Sequence, residues 1–328
     1  MTIAEVTNYQ QLLEVKSLKK YFSASGGVLN KNRIDVKAVD GVSFTVKKGE
    51  TLGIVGESGC GKSTMGRAVM HLLEPTEGEI WFEGKDISKY SKRQLRELRK
   101  DIQIIFQDPF GSLNQRMTVG AMLSEIVRIH KIVPRKEEVT YVKKLLGDVG
   151  LNPDHYSRYP HEFSGGQRQR ISIARALAVK PKLIICDEAV SALDVSVQAQ
   201  VLNLLQRLKA QYQLTYIFIS HDLSVVKHIS DRVGVMYLGE LIEVTDKHKI
   251  YNNPQHPYTQ ALFSAIPDVA VQGKKERVIL KGDVPSPLNI PSGCRFHTRC
   301  PLAQDICKTK KPEFREVEEK HNVACHFV

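Results

Sequence analysis

Residues 56–64 read GESGCGKST, and Gly56, Gly61, Lys62 and Ser63 satisfy the pattern G-x-x-x-x-G-K-[ST]. Each part has a chemical reason. Glycines let the backbone turn so that successive N–H groups point inward at phosphate oxygens. The lysine reaches the β- and γ-phosphates, and the Ser63 hydroxyl is the expected Mg²⁺ ligand. Ser58, Gly59, Cys60 and Thr64 fill out the cradle. With glycine at about 7% of residues, a chance match arises in about one chain in a hundred of this length. The flanks strengthen the reading. TLGIV (51–55) is the short apolar run of a buried parallel strand. KSTMGRAVMHLL (62–73) has helical spacing, with Met65, Ala68, Val69 and Leu72 on one face. A helix starting at Lys62 aims its positive end at the phosphates. The stretch is therefore expected to bind ATP.

Outward from the loop, LIICDE (183–188) is an apolar run ending in two carboxylates. Asp187 can hold Mg²⁺ through water, and Glu188 can act as general base on the attacking water. Other segments place these two in an α/β chain. LLEVKSLKKYF (12–22) alternates as an edge strand, and residues 23–35 form an exposed loop. AVDGVSFTVKKGETLGIVG (38–56) gives two strands about a turn at Lys48-Gly49. EIWFEGKDI (79–87) reads as a hairpin and IQIIFQ (102–107) as a buried strand. Residues 116–160 are mostly helical. Helices are expected at 165–179, 196–212 and 222–230, strands at 182–188 and 215–220, and a hairpin at RVGVMYLGELIEV (232–244). Strands alternating with helices indicate a largely parallel sheet. From Asn253 onward prolines punctuate a C-terminal extension.

The 328 residues, 42% of them hydrophobic, suffice for a large core and roughly two domains. No stretch approaches the ~18 consecutive apolar residues of a membrane helix. The N-terminus has no apolar h-region, so no signal peptide is expected and the site of action is cytoplasmic. A net charge of +11 is spread along the chain, without an arginine-rich tract interleaved with aromatics. Nucleic acid, an anionic lipid or phosphate-bearing ligand, and plain solubility are the competing readings of that charge; the spread disfavours nucleic acid, and a peripheral seat on the inner membrane face fits it as well. Of six cysteines, Cys294, Cys300, Cys307 and Cys325 crowd the last 35 residues, with spacing C-x5-C-x6-C-x17-C. In a cytosolic protein such clustering points to metal rather than disulfides.

FSGGQRQR (163–170) resembles the signature sequence of ABC-transporter ATPases. The other elements of that family stand around it in order. They are Gln107 in IIFQDP, the LIICDE strand, Ser191-Ala192-Leu193-Asp194, and His221 in ISHD. The resemblance covers about 12–252 and implies an ABC cassette with three parts. These are a RecA-like parallel core, an antiparallel β subdomain and a helical subdomain inserted at about 110–170. It also implies a head-to-tail dimer, in which Ser164, Gly165, Gly166 and Gln167 serve the partner's nucleotide. Gln107 would contact Mg²⁺ and sense the membrane subunit. His221 would hold the γ-phosphate, and Asp194 would couple the two sites. Lys62, Glu188 and His221 are the catalytic set. Phe22, with Tyr21 as the alternative, would stack on adenine. Two departures from the usual pattern are visible: Ala189-Val190 replaces Pro-Thr, and Phe163 replaces Leu. Both lie outside the phosphate contacts.

The tail (253–328) narrows the resemblance. YNNPQHPYTQALFSAIP (251–267) and GCRFHTRCP (293–301) are similar to the tails of ATPases from bacterial dipeptide and oligopeptide importers. KAVDGVSF (37–44) and DEAVSALDVS (187–196) resemble the F-type ATPase of such systems. That resemblance implies a D-type ATPase as heterodimer partner, two permease subunits and a solute-binding protein. It implies a [4Fe–4S] cluster on the four tail cysteines; zinc and unligated thiols are the alternatives. It implies an ATPase coupled to peptide import. A nickel or other small-solute importer, or a soluble ABC ATPase without a transport role, are the other readings.

Overall fold

A computed structural model describes residues 11–24, 34–265, 280 and 282–328 of the chain. In chain order the strands are β1 (Gln11–Ala24), β2 (Ile34–Lys47), β3 (Thr51–Val55), β4 (Glu77–Phe82), β5 (Lys85–Asp86), β6 (Ile102–Ile105), β7 (Leu183–Asp187), β8 (Thr215–Ile219), β9 (Arg232–Tyr237), β10 (Glu240–Asp246), β11 (Arg315–Glu318) and β12 (His321–Val323). The chain divides into two compact units. One comprises Met1–Val46, Thr51–Lys89 and Ser220–Val328; the other comprises Lys47–Glu50 and Tyr90–Ile219.

In the first unit β1 is not the edge strand its alternation predicts. It lies between β2 and β4 in a four-stranded sheet of order β2-β1-β4-β5, antiparallel to β4. Leu12, Leu13, Val15 and Leu18 are all buried, as befits a strand with neighbours on both sides. The register sets Leu13 opposite Phe82 and Val15 opposite Ile80. These cross-strand apolar pairs fix which face is inward. The P-loop strand β3 pairs parallel with β9, and β9 returns antiparallel as β10. The loop predicted over residues 23–35 lies mostly outside the described residues, and β1 and β2 take its two ends.

The tail joins this unit by hydrogen bonding. β12 pairs antiparallel with β10, Glu243 opposite Val323, and β11 pairs with β12. Tyr237, Tyr258 and Phe296 then pack, tilted or edge-on, into one aromatic core, with ring centroids 4.7 to 5.4 Å apart.

In the second unit β6, β7 and β8 form parallel pairs, with Ile104 opposite Ile185 and Ile184 opposite Tyr216. All five residues of β7 and of β8 are buried, the pattern of parallel strands covered on both faces. Residues 116–160 carry helices Val119–Ile129 and Glu138–Asp148 and no strand. Helix Glu138–Asp148 packs on both Val119–Ile129 and Gly165–Leu177. Val127, Val142, Leu145, Leu146 and Ile171 are fully buried. Each such side chain contributes about 1.5–3 kcal/mol of burial.

Candidate nucleotide site

The P-loop joins β3 to helix Lys62–Val69, as its sequence predicts. The helix is shorter than its spacing implies. His71 has φ 54°, which ends the right-handed run, and Leu72 is exposed rather than on the buried face. Gly61 caps the helix N-terminus at φ 103°. A side chain there would also collide with the Ala38 carbonyl oxygen. At Gly56 a Cβ would meet the Met236 carbonyl. Both positions therefore require glycine on two counts, conformation and space.

Lys62 is buried, and its ammonium donates to the Gly56 carbonyl at 2.7 Å and the Glu57 carbonyl at 3.0 Å. The loop thus holds its own cation at the start of the helix. Cys60 is buried beside it, with Sγ 3.9 Å from the ammonium, and burial pushes its thiol pKa up. Behind the loop, the Gly239 N–H donates to the Cys60 carbonyl. His221 begins one residue past Ser220, whose N–H donates to Ile54 of the P-loop strand. Asp222 caps the helix that follows, accepting from Ser224 and Val225.

In the second unit Asp187 ends β7 and is buried. Glu188 follows with φ 50°, a left-handed conformation costly for a side chain of this size. Its backbone N–H is anchored on Ile219. Its Oε2 accepts a 2.8 Å hydrogen bond from Gln107 Nε2. The structure thus brings together two residues 81 positions apart that sequence reasoning assigned to one reaction.

Ser164 caps helix Gly165–Leu177 through a capping box. The Gln167 N–H donates to the Ser164 hydroxyl, and the Ser164 N–H donates to the Gln167 side-chain oxygen. Ser164 and Gly165 are exposed, so the positive end of this helix faces outward. Phe163, the residue that departs from the usual Leu, is buried with His155 edge-on at 5.2 Å. Asp194 caps helix Val195–Tyr212 by position, without a side-chain cap bond. Phe22 is 39% exposed and carries the Lys20 ammonium 5.2 Å above its ring, whereas the Tyr21 hydroxyl is committed to Asp40.

The four tail cysteines are free thiols that converge closely enough to act on one another electrostatically. Burial, helped by those neighbours, pushes Cys294 up to about 11. The Cys294 N–H donates to the Cys307 carbonyl at 2.8 Å. Among the described residues no three His, Cys, Asp or Glu side chains take up a ready metal-holding arrangement. Sequence reasoning missed the contact between tail and P-loop. Arg299 pairs with Glu57, and the Tyr258 hydroxyl accepts from the Glu57 N–H. The one available signal was that GCRFHTRCP contains two arginines among its cysteines.

The "ABC transporter" family model matches residues 39–191. The model for the "oligopeptide/dipeptide transporter, C-terminal region" matches residues 242–307. The chain is 58% identical to the oligopeptide transport ATP-binding protein AppF of Bacillus subtilis (strain 168), over 98% of each chain. The chain belongs to the ABC-transporter ATPases. It is also 54% identical to the putative oligopeptide transport ATP-binding protein YkfD of the same organism, over 96% of this chain and 95% of that one. Among solved structures it is similar to the dimeric, post-hydrolysis ATP-binding cassette MJ0796 bound to ADP and Pi. That likeness has a TM-score of 0.62 at 26% identity, over 72% of this chain and 99% of that one. Family and fold together make this an ATP-hydrolysing subunit that works with membrane permeases. Among the described residues no helix is long and apolar enough to cross a membrane.

Proposed function

We propose that this chain is the ATPase that drives import of dipeptides or oligopeptides across the bacterial cytoplasmic membrane, seated peripherally on the cytoplasmic face. The tail carries this reading. Residues 242–307 match a region named for oligopeptide and dipeptide transporters, and relatives at 58% and 54% identity bear oligopeptide-transport names. The cassette alone, matched only as an ABC transporter, supports transport without a substrate. The partners proposed are a D-type ATPase, two permeases and a solute-binding protein. The domains proposed are a cassette over 12–252, with its helical subdomain at about 110–170, and the tail over 253–328.

In the proposed reaction the P-loop N–H groups of Gly56, Ser58, Gly59, Cys60, Gly61, Lys62, Ser63 and Thr64 bind the phosphates. Lys62 turns from its loop carbonyls to the β- and γ-oxygens. Ser63, Gln107 and, through water, Asp187 would hold Mg²⁺, which would supply charge neutralisation at the phosphoryl oxygens. Glu188 accepts a proton from the attacking water, and Gln107 already holds that carboxylate. His221 steadies the γ-phosphate. Ser164, Gly165, Gly166 and Gln167 present an outward helix N-terminus, which suits the partner's nucleotide. Asp194, at the head of the next long helix, links the two sites. Phe22 is proposed for adenine because its ring is the exposed one.

Cys294, Cys300, Cys307 and Cys325 are proposed to hold a [4Fe–4S] cluster. Their convergence as buried or half-buried free thiols supports this reading, although among the described residues no three of them already take up a metal-holding arrangement. When bound it supplies a cross-link for a tail segment of little regular structure.

The test is reconstitution. The chain, co-expressed with its permeases and second ATPase, should co-purify with them and support ATP-dependent uptake of a labelled peptide into vesicles. Uptake of nickel but not peptide would favour the small-solute reading. Absence of any membrane subunit from the purified material would count against transport.

A further inference from the structure

Glu57 places a carboxylate inside the loop that must accept a triphosphate. It lies one residue beyond Gly56, and its own carbonyl accepts from the Lys62 ammonium. An unpaired negative charge here would oppose the ligand. It is not unpaired. Arg299 reaches it from the tail and forms two parallel hydrogen bonds, Nη1 to Oε2 at 2.9 Å and Nη2 to Oε1 at 3.1 Å. The arginine side chain is 8% exposed and the glutamate 26%. Bidentate pairs of this kind fix geometry as well as charge.

The same loop residue is held a second time. The Glu57 N–H donates to the Tyr258 hydroxyl at 3.1 Å, and Tyr258 is fully buried against Tyr237 and Phe296. Phe296 lies in the same short tail stretch as Arg299. The residue after Arg299 is Cys300, so the tail's cysteine region includes a residue that contacts the phosphate loop.

We propose that Arg299 is a positioning residue for nucleotide binding: it neutralises the Glu57 carboxylate, whose backbone Tyr258 holds, so that the phosphate loop accepts a triphosphate. The proposal rests on Gly56–Thr64 being the ATP site. It predicts an effect on affinity rather than on the chemical step. The bland rival is that the pair only fastens the tail.

The experiment measures equilibrium ATP binding by the full-length chain, with thermal unfolding followed in parallel. R299Q should raise the Kd for ATP about tenfold in the folded fraction, a coupling of ordinary size. R299K, which keeps the charge, should recover part of the loss. In the E57Q/R299Q double variant the like charge is gone, and affinity should return to within about twofold of the unaltered chain. Raising the salt should narrow the gap between R299Q and the unaltered chain.

Unchanged affinity in folded R299Q overturns the proposal. So does a double variant as weak as R299Q. Should R299Q fail to fold, E57Q alone decides: it should bind ATP at least as tightly as the unaltered chain, and a tenfold loss overturns the idea. If the unaltered chain binds no ATP, the reading of the loop itself falls, and this inference with it.

Discussion

At the level of single residues, the candidate chemistry rests on Glu188. It holds a left-handed backbone conformation at the end of a fully buried strand and accepts a hydrogen bond from Gln107. Strain of this kind persists where surrounding structure over-determines it, and here the Ile219 carbonyl and β7 do so. Glu188→Gln should leave ATP binding intact and slow phosphate release by a factor of order 10²–10⁴, the contribution of a general base. Turnover near that of the unaltered protein would remove Glu188 from that role. Gly61→Ala makes a different demand. The new methyl meets the Ala38 carbonyl, at a φ of 103° that suits only glycine. ATP affinity should fall at least tenfold, with a lowered melting temperature, both measurable on the purified chain. The motif residues were legible in sequence because phosphate binding dictates residue type at fixed spacing. Glu57 was not, because its partner lies 242 positions away.

Among the elements, periodicity predicted existence and type well and surroundings poorly. β1 alternates as an edge strand would, yet has a neighbour on each side. Alternation reports one buried face and says nothing of who occupies the flanks. Helix Lys62–Val69 stops early because His71 takes a left-handed conformation, which no apolar spacing reveals. β12 joins β10 through a knot of titratable groups. Glu243 accepts from the Gln255 and His256 N–H groups and lies 2.8 Å from His321 Nε2. His256 is buried against Phe296, and its Nδ1 accepts from the Tyr258 N–H. Burial lowers its pKa to about 4, against an opposing pull from Glu243. An unfolded histidine titrates near ~6.5. Between those values the unfolded state binds the extra proton, so stability is full above about 6.5 and falls as pH drops toward 4. The loss should be of order 3 kcal/mol. Denaturant melts across that window should show it, and His256→Asn, which retains a capping oxygen, should flatten the dependence.

For the whole molecule, the tail is the informative part. Its four thiols converge, although they lie at intervals too long for an ordinary zinc motif. Anaerobically purified protein should contain iron and acid-labile sulfide near four of each per chain, in proportion to a [4Fe–4S] cluster. Absence of both would leave the cysteines as packing or zinc ligands, and Cys307→Ser should in either case abolish whatever is bound. The amino-acid sequence by itself determined the α/β class, the phosphate loop, the acidic strand end and the signature that names the ABC ATPases. Each is a local pattern whose chemistry fixes residue type at short range. The tertiary structure alone decided that β1 is flanked on both sides and that Gln107 holds Glu188. It alone decided that the tail extends the sheet through β12 and sets Arg299 on Glu57. Those facts depend on pairings between distant segments, which residue spacing along one chain does not encode. The loop proposed to bind phosphate could be read from nine letters. The arginine that steadies it could be found only where the chain had come back to meet it.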